Sequence, residues 1–221
     1  EHTCGVEFLS TPFSLDALRF LVEEVGVRAI KIASGDLTFR PLLEAAGATQ
    51  LPVLLSTGGA TVDEIYTAVR VGHMGYGLLI DQLALLHCVS SYPCPDEAAN
   101  LRAIGTIQAR FHHCQVVLPT MGWSDHTLSV STVPMLALAC GATLFEKHLT
   151  LDRADGMIDS LHSLEPHEFK VMVTALRNAA RIVGTGEKVP TSIELHDKAW
   201  GRRDPSDWLR PTQAAREGQW A

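Results

Sequence analysis

Gly122-Trp123-Ser124-Asp125-His126-Thr127 and the later Glu146-Lys147-His148-Leu149-Thr150 each read as the end of an apolar strand that breaks into ligand-type polar side chains. Residues two apart on an extended strand point the same way. Ser124 and His126 therefore share one face, and so do Glu146 and His148. Imidazoles at the ends of consecutive strands can meet across a pocket and hold one divalent metal, with Asp125 and Glu146 as orienting or acid–base carboxylates. A pair of ligands does not define a metal site, and core histidines satisfied by hydrogen bonds are the competing reading.

Outward from this stretch the same unit repeats. Strands are expected over residues 6–13, 27–33, 51–55, 83–89, from 116 into the Ser124-Asp125-His126 turn, and over 142–145. Helical patterns follow them, opened by Ser14 and stopped by Gly26, then over 38–46, 61–71, 97–111, 130–140 and 166–183. Thr61 and Glu64 have the spacing of a capping box. Near-continuous apolar strands, each followed by a helix, mark a parallel sheet. Doubly wound sheets and barrels both fit, and in either the ligand site lies at the carboxyl ends of the strands. Every strand here ends in Ser, Thr, His, Asp or Gly, so polar groups converge on one rim. About six βα units are expected, fewer than close a (β/α)8 barrel. Residues 1–185 read as this α/β unit and 186–221 as a turn-rich linker and tail, aromatic and basic around Trp200 and Trp208.

On the rim, Lys31 sits inside an apolar strand and needs an anionic partner unless it snorkels to a sheet edge. Ser34, Ser56, Ser90 and Ser124 recur at strand ends. Serines and loop amides beside a lysine suit phosphate or carboxylate oxygens, although each serine alone also serves as a helix cap. His87 reads as a satisfied core histidine, and His162, among others in loops and termini, carries no strong signal.

Composition narrows the function classes. At 221 residues, 46% hydrophobic and 19% charged, the chain suits one large globular domain. A net charge of −7 argues against a general nucleic-acid binder, while leaving an anionic small substrate open. The five cysteines lack metal spacing and read as reduced thiols of a cytoplasmic protein. No apolar run reaches membrane-spanning length. The chain opens at Glu1 without Met and reads as a fragment or processed chain.

Together these residues resemble the sialic acid synthase (N-acetylneuraminate synthase) family. The matching motifs are Phe8-Leu-Ser-Thr-Pro-Phe13, Lys31-Ile-Ala-Ser-Gly-Asp36, Leu55-Ser-Thr-Gly58, Leu86-His-Cys-Val-Ser-Ser-Tyr-Pro93, Asn100-Leu-Arg-Ala-Ile104, Gly122-Trp-Ser-Asp-His-Thr127, Glu146-Lys-His-Leu-Thr150 and Ser163-Leu-Glu-Pro166. The resemblance implies a (β/α)8 TIM-type barrel, here incomplete. It also implies a transferase that condenses phosphoenolpyruvate with N-acetylmannosamine or a related N-acyl sugar, giving a nonulosonic acid and phosphate. A legionaminic- or pseudaminic-type precursor is the alternative acceptor, and a truncated barrel that only binds or scaffolds is the non-enzymatic alternative. By motif, His126 and His148 resemble ligands of Mn2+ or Mg2+. Thr11, Lys31, Ser34, Ser56, Ser90 and Ser124 resemble the phosphoenolpyruvate cradle, with Tyr92 beside the sugar. Glu146, Asp36 and Asp159 fall where the family handles acid–base steps and the sugar. Asp36 is often Glu in the family and Ser90 sometimes Asn. The resemblance further implies a homodimer, with βα units ahead of residue 6 and a C-terminal antifreeze-like domain that this sequence does not show. It therefore predicts low turnover by this chain alone, which phosphate release from phosphoenolpyruvate and N-acetylmannosamine with Mn2+ measures; ordinary synthase rates would refute it.

Overall fold

Apolar runs pair as parallel strands in the computed structural model of the chain, which describes residues 5–76, 82–113 and 120–218. Among those residues the strands β1 (Ile30–Ile32), β2 (Val53–Ser56), β3 (Leu83–Cys88), β4 (Thr120–Asp125) and β5 (Leu144–Lys147) form one five-stranded sheet in the order β1-β2-β3-β4-β5. The helix α1 (Leu15–Phe20) precedes β1, with the Ser14 hydroxyl accepting from the Ala17 N–H. The connections between strands hold α2 (Arg40–Ala48), α3 (Val62–Tyr76), α4 (Ala103–His113) and α5 (Thr132–Ala139), and α6 (Pro166–Val183) follows β5. The Thr61–Glu64 capping box forms as expected, the Glu64 carboxylate accepting from Thr61 N at 2.7 Å and Thr61 Oγ1 accepting from Glu64 N at 3.3 Å. The expected strand start at 116–118 lies outside the described residues, as do Cys4 and Cys114; Cys88, Cys94 and Cys140 are free thiols.

Strand parity divides the sheet into a structural and a chemical face. Ile30, Ile32, Val53, Leu55, Leu83, Leu85, Met121 and Trp123 pack with Leu42, Ile65, Ile104, Phe111 and Ala137 of the helices in one buried core. The intervening residues point the other way. Register aligns Ser56, Leu86, Gly122 and Leu144 in one row, and Cys88, Ser124 and Glu146 in the next. Lys31, on the same face of β1, reaches Glu146 on β5, with Nζ 3.0 Å from Oε2. In a flat sheet, four spacings of roughly 4.8 Å would hold the first and fifth strands about 19 Å apart, beyond the reach of these side chains. The sheet is therefore curled, and its concave face carries the polar residues. This is the α/β, incomplete-barrel architecture that the sequence implied.

One expected strand does not form. Residues 6–13 join no strand of the sheet, and Val6, Phe8, Leu9 and Phe13 are 65%, 50%, 41% and 71% exposed. The sheet edge next to them in the chain is the three-residue β1, too short for a ladder that would offset ordering a further strand. An exposed ion pair, Glu7 to Arg28 at 2.9 Å, links the stretch to the approach to β1.

Compact units divide the chain at Ile182–Val183. The second, expected as linker and tail, contains α7 (Ser192–Gly201) and α8 (Gln213–Arg216). Thr191 and Glu194 build a full capping box at the start of α7. The Asp204 carboxylate accepts from Ser206 Oγ, Gln213 N and Ser206 N, which hold its pKa down to about 2. Among the described residues no helix is long and apolar enough to cross a membrane.

Two substitutions test this packing. A Cβ on Gly122 would run into Leu86 Cδ2 and come within 2.7 Å of the Leu144 backbone oxygen. Gly122→Ala is expected to lose about 1–3 kcal/mol of stability in urea denaturation, and a wild-type midpoint would contradict the tight β3–β4–β5 row. Lys147 and Asp125 face each other with side chains 1% and 2% exposed, Nζ 3.4 Å from Oδ2. Burial pushes the Lys147 pKa down, opposed by the Asp125 charge. Lys147→Ala strands that carboxylate without its cation and is expected to cost roughly 3–5 kcal/mol; a loss typical of a surface residue would show that the pair is not a structural clamp.

Candidate functional site

The rim at the carboxyl ends of β3, β4 and β5 is built from behind. Asp125 turns its carboxylate away from His126: Oδ1 accepts from Thr127 N at 2.8 Å, and Lys147 Nζ donates to the Thr127 carbonyl oxygen. Cys94 N donates to the His126 carbonyl oxygen at 2.8 Å. These bonds fix the turn after β4, leaving the His126 side chain as the element that reaches the rim. Its orienting partner is a backbone group, Val89 O, 2.8 Å from Nδ1, and not Asp125 as the sequence suggested. A carbonyl oxygen only accepts, so Nδ1 carries the proton and the neutral ring keeps a lone pair on Nε2. Burial holds the His126 pKa below the ordinary imidazole value, and the neighbouring His148 lowers it further.

Three imidazoles gather here. Ring centroids lie 5.5 Å apart for His126 and His148, 4.6 Å for His148 and His162, and 6.2 Å for His126 and His162. The Tyr92 ring covers them, 4.2 Å from His126 and 5.3 Å from His162. The Tyr92 hydroxyl is held above its usual pKa by burial and then by its neighbours Cys88, Asp159 and Glu146. Asp159 stands between two of the rings: Oδ2 is 3.7 Å from His148 Nδ1, and Oδ1 is 3.6 Å from His162 Nε2. One ligand atom from each of His148, Asp159 and His162 lies within 4.8 Å of the others. His162 was the residue that spacing missed. It lies on a loop, and the signal that could have found it is its position three residues after Asp159.

Beside the imidazoles lies a second group. Glu146 accepts from Ser124 Oγ at 2.8 Å and pairs with Lys31, whose side chain is 14% exposed. Ser34 Oγ accepts from Gly58 N at 2.9 Å and touches Cys88 Sγ at 3.2 Å. A Cβ on Gly58 would collide with Ser90 Oγ and meet Ser34 Oγ at 3.0 Å, so Ser34, Ser90 and the Gly58 backbone converge on space that only glycine leaves open. Hydroxyls and an ammonium form a cradle suited to anionic oxygens. Ser56 is buried on the same strand face with its Oγ unpaired. Thr11 and Asp36 are half-buried and make no side-chain hydrogen bond to either group among the described residues. His87 is a core histidine, its Nε2 bonded to Ala99 O at 3.0 Å and its pKa lowered by burial.

The donor chemistry fits a divalent metal: two imidazoles at strand ends, a third on a loop, and a carboxylate between two of the rings. With the anion cradle alongside, one rim can hold an anionic substrate next to a Lewis acid.

Known proteins resemble this chain along most of its length. Residues 2–188 match the model of the NeuB family. The chain is 37% identical over 220 residues to N,N'-diacetyllegionaminic acid synthase of Legionella pneumophila, covering 98% of this chain and 60% of that protein. It is 34% identical over 174 residues to N-acetylneuraminate-9-phosphate synthase of Drosophila melanogaster, covering 79% of this chain and 44% of that protein. The chain thus corresponds to part of each relative's length. The crystal structure of N-acetylneuraminic acid (sialic acid) synthetase from Leptospira borgpetersenii, in complex with citrate, superposes with a TM-score of 0.79 at 38% identity, over 87% of this chain and 64% of that one. Matched along most of its sequence and in its backbone, this chain belongs to the NeuB family.

Proposed function

We propose that this chain carries the condensing site of a nonulosonic acid synthase, joining phosphoenolpyruvate to the aldehyde of an N-acylated amino sugar. The observation that supports it best is the Lys31–Glu146–Ser124 group on the concave face, directly beside the imidazole cluster. Lys31 spends part of its donor capacity on Glu146 and keeps further N–H groups for phosphate or carboxylate oxygens. Ser34, held by the Gly58 amide, and Ser56, Ser90 and Ser124, with Thr11, complete the anion side.

In the reaction, C3 of phosphoenolpyruvate forms the new carbon–carbon bond to the aldehyde carbon, whose oxygen takes up a proton. Water adds at C2, its proton passing to Glu146. Phosphate then leaves with the C–O electron pair, and the C2 carbonyl forms. Asp36 and Asp159 are the other carboxylates assigned to the acid–base and sugar steps, and Tyr92 closes the sugar side. His126 and His148 would hold a divalent metal, Mn2+ or Mg2+, which would supply Lewis-acid polarisation of the acceptor carbonyl. The strand-borne residues orient both substrates on one rim, which supplies the proximity that such a condensation needs.

A second reading, a legionaminic-type acceptor, is favoured by the 37% identity over 98% of the chain to the legionaminic acid synthase. Saturation-transfer NMR with N-acetylmannosamine and with a diacetamido sugar distinguishes the two by which ligand receives saturation.

Calorimetric titration of phosphoenolpyruvate into the chain tests the anion side. Lys31→Met is expected to weaken binding by at least about tenfold, the loss of one charged hydrogen bond. Gly58→Ala, which fills the space between Ser34 and Ser90, is expected to weaken it while leaving far-UV circular dichroism unchanged. Phosphoenolpyruvate binding that ignores both substitutions would sink the assignment.

A further inference from the structure

We infer that His162 is a metal ligand of this site, joined to His148 by Asp159, so that two imidazoles and a carboxylate gather beside His126 and the centre selects borderline transition ions over Mg2+. The inference rests on the metal reading above and extends it to a residue outside the strand ends.

The first ground is an orphaned atom. The His162 side chain is 2% exposed, and its Nε2 is buried without a hydrogen-bond partner. Leaving a buried polar group unpaired is costly, and such groups in folded proteins are ordinarily satisfied. The nearest charge, Asp159 Oδ1, stands 3.6 Å from Nε2, and the other oxygen 3.7 Å from His148 Nδ1. Both separations exceed a hydrogen bond. A carboxylate placed midway between two imidazole nitrogens, bonded to neither, leaves room for an ion that all three can bind. The Asp159 side chain is 54% exposed, free to adjust, and binding through one oxygen leaves the other for a sugar hydroxyl.

The second ground is how the loop is held. Leu164 N donates to the His148 carbonyl oxygen at 2.9 Å, and Thr150 N to the Leu164 carbonyl oxygen at 3.0 Å. The excursion after β5 therefore returns to its starting point, bringing Asp159 and His162 beside His148. Inside the loop, Arg153 Nε donates to Ser163 O at 2.9 Å, Ser163 Oγ to Asp159 O at 2.7 Å, and Asp155 accepts from Met157 N at 3.0 Å and from Ser160 Oγ. Backbone and side-chain bonds thus fix the loop while the Asp159 carboxylate and the His162 Nε2 take no part in holding it.

The consequence is ion selectivity. Mg2+ is a hard cation that prefers oxygen ligands and keeps its waters, whereas imidazole-rich sets favour later first-row ions. Co2+ serves as the probe because its visible absorption reports nitrogen ligation. The metal-free full chain should bind one Co2+ that excess Mg2+ displaces poorly. His162→Ala and the ring-retaining His162→Phe should each weaken Co2+ at least about tenfold, alter the visible band and make Mg2+ a better competitor, with circular dichroism of the metal-free protein unchanged. If His162→Phe binds Co2+ with wild-type affinity and spectrum while His148→Ala loses it, His162 is a core residue; this inference fails and the two-histidine reading stands. If the wild-type chain binds no Co2+, both fall.

Discussion

The Lys31–Glu146 ion pair is the contact on which the geometry of the site depends. Its partners lie on the first and last strands of the sheet, so it forms only because the sheet curls. Curling in turn requires that the concave face be thinly filled where the strands converge. Gly122 meets that need in the row shared with Leu86 and Leu144. The ammonium and carboxylate then meet in a half-buried setting, where their attraction is stronger than at an open surface. The same curvature brings strand ends from opposite sides of the sheet to one mouth, where Ser34, Gly58 and Ser90 gather within reach of Lys31's side of the rim.

Parity gives each strand two separate jobs. On β4, Trp123 fills the core against the helices while Ser124 faces the cradle; on β5, Lys147 clamps Asp125 and Thr127 while Glu146 faces Lys31. The polar side chains nearest the catalytic candidates in sequence are therefore not their chemical partners. Asp125 follows Ser124 and precedes His126, yet it serves the turn from the helix side. A carboxylate next to a histidine in sequence is the wrong place to look for its orienting group when the backbone is extended, because adjacent residues point to opposite faces.

This also explains what could be read from the chain and what could not. Most of the strands were legible because they are apolar runs bounded by turn residues. Sequence parity pairs Ser124 with His126 and Glu146 with His148, while the alignment of Ser124 with Glu146 and the approach of Lys31 come from register and curl. The run over 6–13 has the same local pattern but lies outside the sheet, since strand formation depends on a partner edge that sequence pattern does not report. Val89 O as the partner of His126, and Gly58 as the floor of the cradle, were invisible because backbone groups carry no residue signature. The short helices after residue 183 were missed because capping, as at Thr191 and Glu194, starts them without an apolar stripe. His162 was missed for another reason: its neighbours in space come from the loop's closure at Leu149 and Leu164, a long-range pairing of two residues with no distinctive chemistry.

That closure bears on how the two halves of the site work together. The anion cradle is carried by strands and their first turns, where Ser124 Oγ, Ser34 Oγ and the Gly58 amide are already hydrogen-bonded and Ser56 Oγ is not. The imidazole cluster is mixed: His126 and His148 follow strand ends, while Asp159 and His162 arrive on a pinned loop. Ordering a free loop around an ion would set its conformational entropy against the ligand bonds that the ion makes. Here the backbone bonds at Leu164 and the Arg153 and Asp155 hydrogen bonds meet that cost in the folded chain, before any ion arrives. Within this loop His162 Nε2 is left buried and unsatisfied, at a cost of about 1–3 kcal/mol to the fold. A ligand that satisfies it regains that cost as part of its binding energy, and binding to the folded chain in turn stabilises the fold.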